Sequence, residues 1–340
     1  MNRMPMETTE NNLSKAILET WTHLSATVAP NLTAKKALER TQGLQWWCVY
    51  SKRNNKYGIA FDVSNDILQQ KFQTYRFLQI EVYPERDHSL LAIFLNDDDF
   101  KPEFAVLSSH LICAVSESRT DISRIHKVVD ELKRWENLFS RLKDDGMPIP
   151  RQRGLLGELY LLNELLQGLS MSKEKVIGFW DGPDAAARDF QGNNWAIEVK
   201  TSAKSRPRCV HINGERQLDN SLFDYLFLYY FLVDASGNNG ITLPELVKRI
   251  REILAGNIQA EQDFNTKLLM YGYRDEDSDK YSTHYVIREK VFYLVDDDFP
   301  KLIESSLVNG ISKIEYNLDL DVCDSWLTPL NKVLTVIENS

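Results

Sequence analysis

Two acids and a lysine that lie close together in the sequence have the chemistry needed for metal-assisted hydrolysis. They belong to residues 188–201, where a Gly-Asn-Asn turn signal at 192–194 separates two runs with strand character, so the segment predicts a β-hairpin. Alternation along the second strand puts Glu198 and Lys200 on one face, and Asp189 lies across the turn on the first strand. Carboxylate oxygens in such a patch bind a divalent cation, which activates a water molecule.

These residues resemble the signature of the PD-(D/E)XK nuclease superfamily, an Asp on one strand and Glu or Asp, any residue, then Lys on the next. The matching positions are Asp189, Glu198, Val199 and Lys200, with Arg188 where the signature has Pro, a loss that the superfamily tolerates. The resemblance implies that Asp189, Glu198 and the Val199 carbonyl bind Mg²⁺, or Mn²⁺ in its place. It also implies that Lys200 orients the attacking water and stabilises developing negative charge.

A third acid is predicted on the helix that precedes the hairpin. Over residues 151–167 the leucines form one apolar arc at helical spacing, and Glu158 falls inside it, between Leu162 and Leu165. A carboxylate on a packing face requires a cation or hydrogen bonds as compensation. Glu158 therefore either pairs with an arginine such as Arg151 or completes the acidic cluster. Many PD-(D/E)XK enzymes place a Glu on this helix, where it ligates a second ion or binds a metal-bound water.

Gln217 follows the hairpin at the place where several related nucleases carry a Gln on the next helix. Their pattern ends in Tyr four residues later, whereas this chain has Ser221, so the match is partial. The resemblance makes Gln217 a candidate catalytic residue, and a capping or surface role is the alternative.

Basic residues are concentrated around the proposed site, although the chain has a formal net charge of −9. Such a patch suits contacts to phosphate groups, whose strength falls with salt, and a solvated basic loop is the alternative. No zinc finger or helix-turn-helix pattern is evident, so base-specific recognition is not predicted. The predicted nucleic-acid contacts are Arg188, Thr201, Lys204, Arg206, Arg208 and Arg216.

Composition indicates a folded protein of the cytoplasm. The chain has 340 residues, of which 43% are hydrophobic, enough for two or three subdomains. Its four cysteines are scattered singly, which favours neither a zinc site nor a disulfide framework and predicts a reducing compartment. The longest apolar run, 225–233, is too short to span a bilayer, and the N-terminus lacks a signal-peptide core.

The elements that must position the site fall into three predicted regions of α+β or mixed α/β type. Residues 1–146 form an N-terminal β-rich α+β subdomain ending in a long helix, which Asp144-Asp145-Gly146-Met147-Pro148 interrupts. Residues 147–235 form the nuclease core, in the order helix, strand, strand, strand, short helix, strand. This order matches the restriction-endonuclease-like αβββαβ core and predicts a mixed sheet with helices on its sides. Residues 236–340 form a C-terminal α+β region, with a helix over 244–254 and strand-like runs that include 267–273.

The leading hypothesis is a metal-dependent DNA endonuclease, or a nuclease subunit, of a bacterial restriction or phage-defence system. The layout resembles a bacterial PD-(D/E)XK family found among such genes. The expected partners are DNA, other defence proteins such as a helicase or ATPase, and a second copy of the chain, because double-strand cutting needs two active sites. The alternatives are a non-catalytic nuclease-like scaffold that binds DNA or protein, and a nuclease that acts on RNA. No nucleophile elbow, phosphate-binding Gly-rich loop or His-Glu-x-x-His motif points to another enzyme class.

Overall fold

The computed structural model describes residues 9–38, 44–69, 71–116, 118–143, 146–182, 188–203, 206–237 and 239–340. The chain divides into two compact units, Met1–Asp145 and Gly146–Ser340. Both units combine helices with sheets, so the predicted α+β class is confirmed. The three-part division at 146 and 235 stays a prediction.

The N-terminal unit is built on an antiparallel sheet. Its strands are β1 (Thr33–Ala37), β2 (Trp46–Ser51), β3 (Lys56–Val63), β4 (Leu78–Pro84) and β5 (Ser89–Leu95), and its helices are α1 (Thr9–Thr27), α2 (Lys101–Ser116) and α3 (Asp121–Leu142). The strand order is β1-β2-β3-β5-β4. α1 packs on α2 and β2, and α2 packs on α3. Thr120 begins α3 with a capping box, which explains the sharp start of this helix.

The C-terminal unit is built on a mixed sheet. Its strands are β6 (Phe190–Gln191), β7 (Trp195–Ser202), β8 (Cys209–Ile212), β9 (Tyr225–Ser236), β10 (His284–Leu294), β11 (Tyr316–Asp319) and β12 (Leu327–Thr328). Its helices are α4 (Ile149–Gly168), α5 (Lys173–Phe179), α6 (Leu243–Leu254), α7 (Ile258–Tyr271) and α8 (Leu330–Glu338). The sheet order is β12-β10-β9-β7-β6, and β8 pairs separately with β11. β7 and β9 run parallel, whereas β6 and β10 are antiparallel to their neighbours.

The two faces of the mixed sheet are covered differently. On one face Ile197 and Val199 of β7 pack with α4 and the other helices of this unit. On the other face Ala196 packs against Val210 and Leu318, which belong to the β8–β11 pair. Strand β9 is therefore buried on both sides, as its apolar sequence predicts, but a two-stranded ribbon replaces the helix expected on the second face.

Two local predictions were wrong. Residues 267–273, read as a strand, lie mostly in α7, because Asn257 caps the helix through its side chain and Gly272 ends it in the left-handed conformation. The short helix expected from Asn213 to Asp219 is a series of turns. None of the helices in the described ranges is both long and apolar enough to cross a membrane.

Candidate active site

The predicted hairpin is formed by β6 and β7. Phe190 lies opposite Ile197 in the antiparallel pairing, and the Gly192 N–H donates to the Trp195 carbonyl oxygen at 2.9 Å. A Cβ atom on Gly192 would lie 2.4 Å from the Trp195 indole nitrogen. The turn therefore needs glycine at this position, because the indole folds back over its backbone.

The hairpin brings together the three residues of the motif. Asp189 immediately precedes β6, and its Oδ2 accepts a hydrogen bond from the Val199 N–H at 2.7 Å. The Asp189 carboxylate thus lies against the residue that follows Glu198. Glu198 is only 3% exposed, and its Oε1 lies 2.9 Å from Lys200 Nζ. As the alternation predicts, the Glu198 and Lys200 side chains are partners on one side of the strand.

Glu158 is the third acid, and α4 holds it inside the packed face. It is 6% exposed and accepts two side-chain hydrogen bonds, from Trp180 Nε1 at 2.8 Å and from the Tyr271 hydroxyl at 2.9 Å. The Arg151 guanidinium, proposed above as its partner, instead donates to the Tyr271 carbonyl oxygen at 2.6 Å. Sequence reasoning found Glu158 but missed Trp180 and Tyr271.

Burial and neighbouring carboxylates oppose the ionisation of Asp189 and Glu158. Burial raises the pKa of the Glu158 carboxyl to about 7, against the hydrogen bonds from Trp180 and Tyr271, which lower it. Asp189 keeps some exposed surface, yet burial and then the charges of Glu198 and Glu158 hold the pKa of its carboxyl well above the usual range. Burial also raises the pKa of Glu198, while Lys200 and Arg188 counteract the shift. A cation bound beside these acids would favour their charged forms.

The donor set fits a divalent metal ion of the Mg²⁺ type. Within the described residues, no group of three or more His, Cys, Asp and Glu side chains is arranged to hold a metal ion. Magnesium does not require such a group, because it is usually held by one or two carboxylates and keeps several water ligands. Asp189 and Glu198 supply hard oxygen donors, and both oxygens of Glu158 are already engaged by protein donors. Asp189 and Glu198 could therefore hold such an ion directly, with Glu158 as an outer group.

Lys200 lies between an acid and an amide. Its ammonium donates to Gln217 Oε1 at 2.8 Å, in addition to its contact with Glu198. The same Gln217 oxygen accepts the Asn213 N–H at 2.8 Å, which fixes the side-chain amide. The structure thus brings Gln217 into the site, although a turn rather than a helix carries it.

Two of the predicted nucleic-acid contacts are directed into the protein. Arg188 is 5% exposed and donates to the Asp219 carbonyl oxygen at 2.6 Å. The Thr201 hydroxyl is buried, and a Cβ atom on Gly157 of α4 would lie 2.1 Å from it. These positions do not offer either group to a phosphate at the surface.

The other basic residues differ in their surroundings. Arg206 and Arg216 are exposed. Arg208 contacts carboxylates of Glu289, Asp321 and Asp324 at 2.8 to 3.5 Å, so acidic groups compensate its charge. Lys204 lies outside the described residues. The predicted basic patch therefore reduces to Arg206 and Arg216 among the described side chains.

An Asp beside one strand, Glu-Val-Lys on the next and a neighbouring buried Glu, on a mixed sheet in an α+β unit, define a protein of the PD-(D/E)XK class. A family model described as "Putative PD-(D/E)XK family member (DUF4420)" matches residues 17–321. The chain belongs to that family, and the resemblance drawn from the hairpin is confirmed. Searches of curated proteins and of solved structures found no match.

Proposed function

We propose that this protein is a metal-dependent nuclease that hydrolyses phosphodiester bonds, with DNA as its substrate and Mg²⁺ as its preferred ion. The observation that carries the proposal is the convergence of Asp189, Glu198 and Lys200 on one enclosed patch beside Glu158. Surface Glu-Lys pairs are common and mostly exposed, whereas the side chains of Glu198 and Lys200 are 4% and 13% exposed. An acid and a lysine buried together next to two further acids are costly for stability and suit catalysis.

Each residue has a role that follows from its contacts. Asp189 and Glu198 would hold the ion, which would neutralise phosphate charge and lower the pKa of a bound water. Lys200 is close enough to Glu198 to orient the attacking water and to stabilise negative charge on the phosphate. Gln217 restrains the Lys200 ammonium through its side-chain oxygen. Glu158 is an outer acid: burial raises its pKa to about 7, against the hydrogen bonds from Trp180 and Tyr271, and a cation bound nearby would favour its charged form.

We also propose that the C-terminal unit contains a restriction-endonuclease-like core made of α4, β6, β7, β8 and β9. The antiparallel pairing of β6 with β7 and the parallel pairing of β7 with β9 support this assignment, as does the packing of α4 against β7. The turn at 213–219 would replace the second helix of the αβββαβ order. A role in restriction or phage defence, action as a homo-oligomer, and cooperation with a helicase or ATPase partner belong to the same proposal.

The test is plasmid cleavage by the full-length protein, with Mg²⁺ and with EDTA. We expect Mg²⁺-dependent nicking or cutting by the wild type and its loss in Asp189→Ala and Lys200→Ala. Lys248→Ala is the matched control, because the Lys248 side chain is 79% exposed on α6. Its ion pair with Glu252 is a loose surface contact, with 4.0 Å between the ammonium and the carboxylate. Cleavage that persists in both site variants would refute these roles. DNA binding without cleavage by the wild type would favour the scaffold alternative, and cleavage confined to RNA would change the substrate class.

A further inference from the structure

Two aromatic side chains outside the sequence motif hold Glu158 by both of its oxygens. Trp180 Nε1 donates to Oε2 and the Tyr271 hydroxyl donates to Oε1, at 2.8 and 2.9 Å. Trp180 is 0% exposed and Tyr271 is 9% exposed, so water does not compete freely for these donors. A carboxylate held at both oxygens has a fixed plane and cannot rotate about its terminal bond.

The two donors are themselves anchored by neighbouring elements. The Trp180 carbonyl oxygen accepts a hydrogen bond from Lys267 of α7, which also donates to the Ile177 carbonyl oxygen at 3.2 Å. Lys267 and Tyr271 are four residues apart and therefore share one face of α7. The Arg151 guanidinium holds the end of α7 through the Tyr271 carbonyl and lies 5.1 Å from the Tyr271 ring centroid. α7 thus contacts Glu158 directly through the Tyr271 hydroxyl and supports Trp180 through the bond from Lys267 to its carbonyl oxygen.

We infer that Trp180 and Tyr271 are positioning residues of the active site, which orient the Glu158 carboxylate toward Asp189 and Glu198 and thereby strengthen metal binding. The inference rests on the proposed function. Residues that ligate a metal are usually oriented by such outer hydrogen bonds, and loss of one partner typically weakens metal affinity or activity about 10- to 100-fold. Because Glu158 is an outer group here, we expect an effect at the lower end of that range. The site therefore includes α7, which follows the hairpin by more than fifty residues and lies in the predicted C-terminal region.

The direct test measures metal affinity. Mg²⁺ and Mn²⁺ binding to the full-length protein is measured by calorimetry for the wild type, Tyr271→Phe and Trp180→Phe. We expect affinity about tenfold weaker in each variant, a parallel loss of cleavage at subsaturating metal, and unchanged DNA binding in EDTA. The matched control is Tyr273→Phe, because Tyr273 is equally enclosed, 4% exposed, but its hydroxyl interacts with Asp275. Tyr271→Phe keeps the aromatic ring, so a role in packing alone leaves metal affinity at the wild-type value.

A second measurement addresses the hydrogen bonds without metal. The Trp180 resonance in ¹H–¹⁵N spectra of the indole groups is assigned from its absence in Trp180→Phe. At pH 8, above the pKa of about 7 of Glu158, it is expected to shift upfield in Glu158→Gln, because the charged acceptor is lost. An unchanged resonance would refute the Trp180–Glu158 bond, whatever the activity. If both aromatic variants cleave at the wild-type rate and bind metal with the wild-type affinity, the positioning role is refuted, whereas the proposed nuclease function stands. A wild type that neither binds metal nor cleaves would refute the proposed function and this inference together.

Discussion

The Lys200 ammonium and the Gln217 side chain are joined by a hydrogen bond of 2.8 Å. Since Gln217 Oε1 also accepts the Asn213 N–H, the amide connects the turn after β8 to the lysine of the motif. Lys200 therefore has two fixed partners, Gln217 and Glu198, and little freedom to leave the site. This restraint makes Gln217 the most direct probe of how the lysine is positioned.

We expect Gln217→Leu to reduce cleavage about 10- to 150-fold, because a hydrogen bond to a charged group contributes roughly 1.5–3 kcal/mol. The affinity for DNA should stay near the wild-type value, since Gln217 contacts Lys200 rather than the surface. Asn213→Ala is the control: its link to Gln217 runs through the backbone N–H, which the substitution keeps. Equal cleavage by Gln217→Leu and Asn213→Ala would show that the amide does not position Lys200. The measurement is the initial rate of plasmid nicking under saturating Mg²⁺.

Local pattern predicted the part of the site that local geometry determines. The turn at 192–194 and the strand alternation were sufficient to place Asp189, Glu198 and Lys200 together, because a hairpin joins residues near in sequence. The helical arc was sufficient to place Glu158 on a packing face. Both predictions depend on one element or on one short connection.

The groups that complete the site come from distant elements, and no local pattern marks them. Trp180 and Tyr271 are 22 and 113 residues from Glu158, and only the folded C-terminal unit brings them together. The error over 267–273 hid Tyr271 further, because a strand would have directed its side chain differently from the last turn of α7. A buried acid does require donors, so the sequence indicated that partners exist without identifying them.

The enclosed acids should make the stability of the metal-free protein depend on pH in an uncommon direction. Glu158 has its folded-state pKa raised from 4.5 to about 7, so the folded state binds more protons than the unfolded state between these values. Stability from this group is present below about pH 4.5 and is lost as pH rises through 7. A pKa unit corresponds to about 1.4 kcal/mol. The free energy of unfolding of Glu158→Gln, relative to that of the wild type, should therefore rise by roughly 3 kcal/mol between pH 4.5 and 8.

Urea unfolding in EDTA at pH 4.5, 6 and 8 measures this difference. Glu164→Gln is the matched control, because Glu164 lies on the same helix but its carboxylate bonds to the Lys290 ammonium and the Tyr229 hydroxyl. We expect no comparable gain for that variant as the pH rises. A constant difference between Glu158→Gln and the wild type would contradict the raised pKa of Glu158.

The close approach of α4 to β7 depends on a glycine. A Cβ atom on Gly157 would lie 2.1 Å from Thr201 Oγ1 and 3.3 Å from a Phe231 ring carbon. Gly157→Ala should therefore destabilise the protein by about 1–3 kcal/mol through overpacking, even though alanine favours helices. In the control Gly178→Ala, the new Cβ meets nothing within 4 Å, and the change should stabilise α5 by up to about 1 kcal/mol.

Thermal and urea denaturation compare the two glycine variants. Adding Thr201→Ala to Gly157→Ala removes the hydroxyl in the clash and should restore part of the lost stability. If Gly157→Ala is as stable as Gly178→Ala, the helix does not approach the strand as closely as the structure indicates.

The exposed and the compensated arginines should differ in their effect on DNA binding. Arg216 is exposed, so Arg216→Ala should weaken DNA binding at all sequences and lower the slope of log affinity against log salt by about 1. Arg208 donates to Glu289 and Tyr293 at 2.8 and 2.7 Å. Its loss leaves the Glu289 carboxylate without this cation and the Tyr293 hydroxyl without this donor. Arg208→Ala should therefore lower stability and keep the salt slope of the wild type.

Fluorescence anisotropy with duplex DNA in EDTA, at several salt concentrations, separates the effects of the two arginine variants. A lower salt slope for Arg208→Ala with an unchanged slope for Arg216→Ala would contradict this prediction. The DNA-binding face would then lie around Arg208.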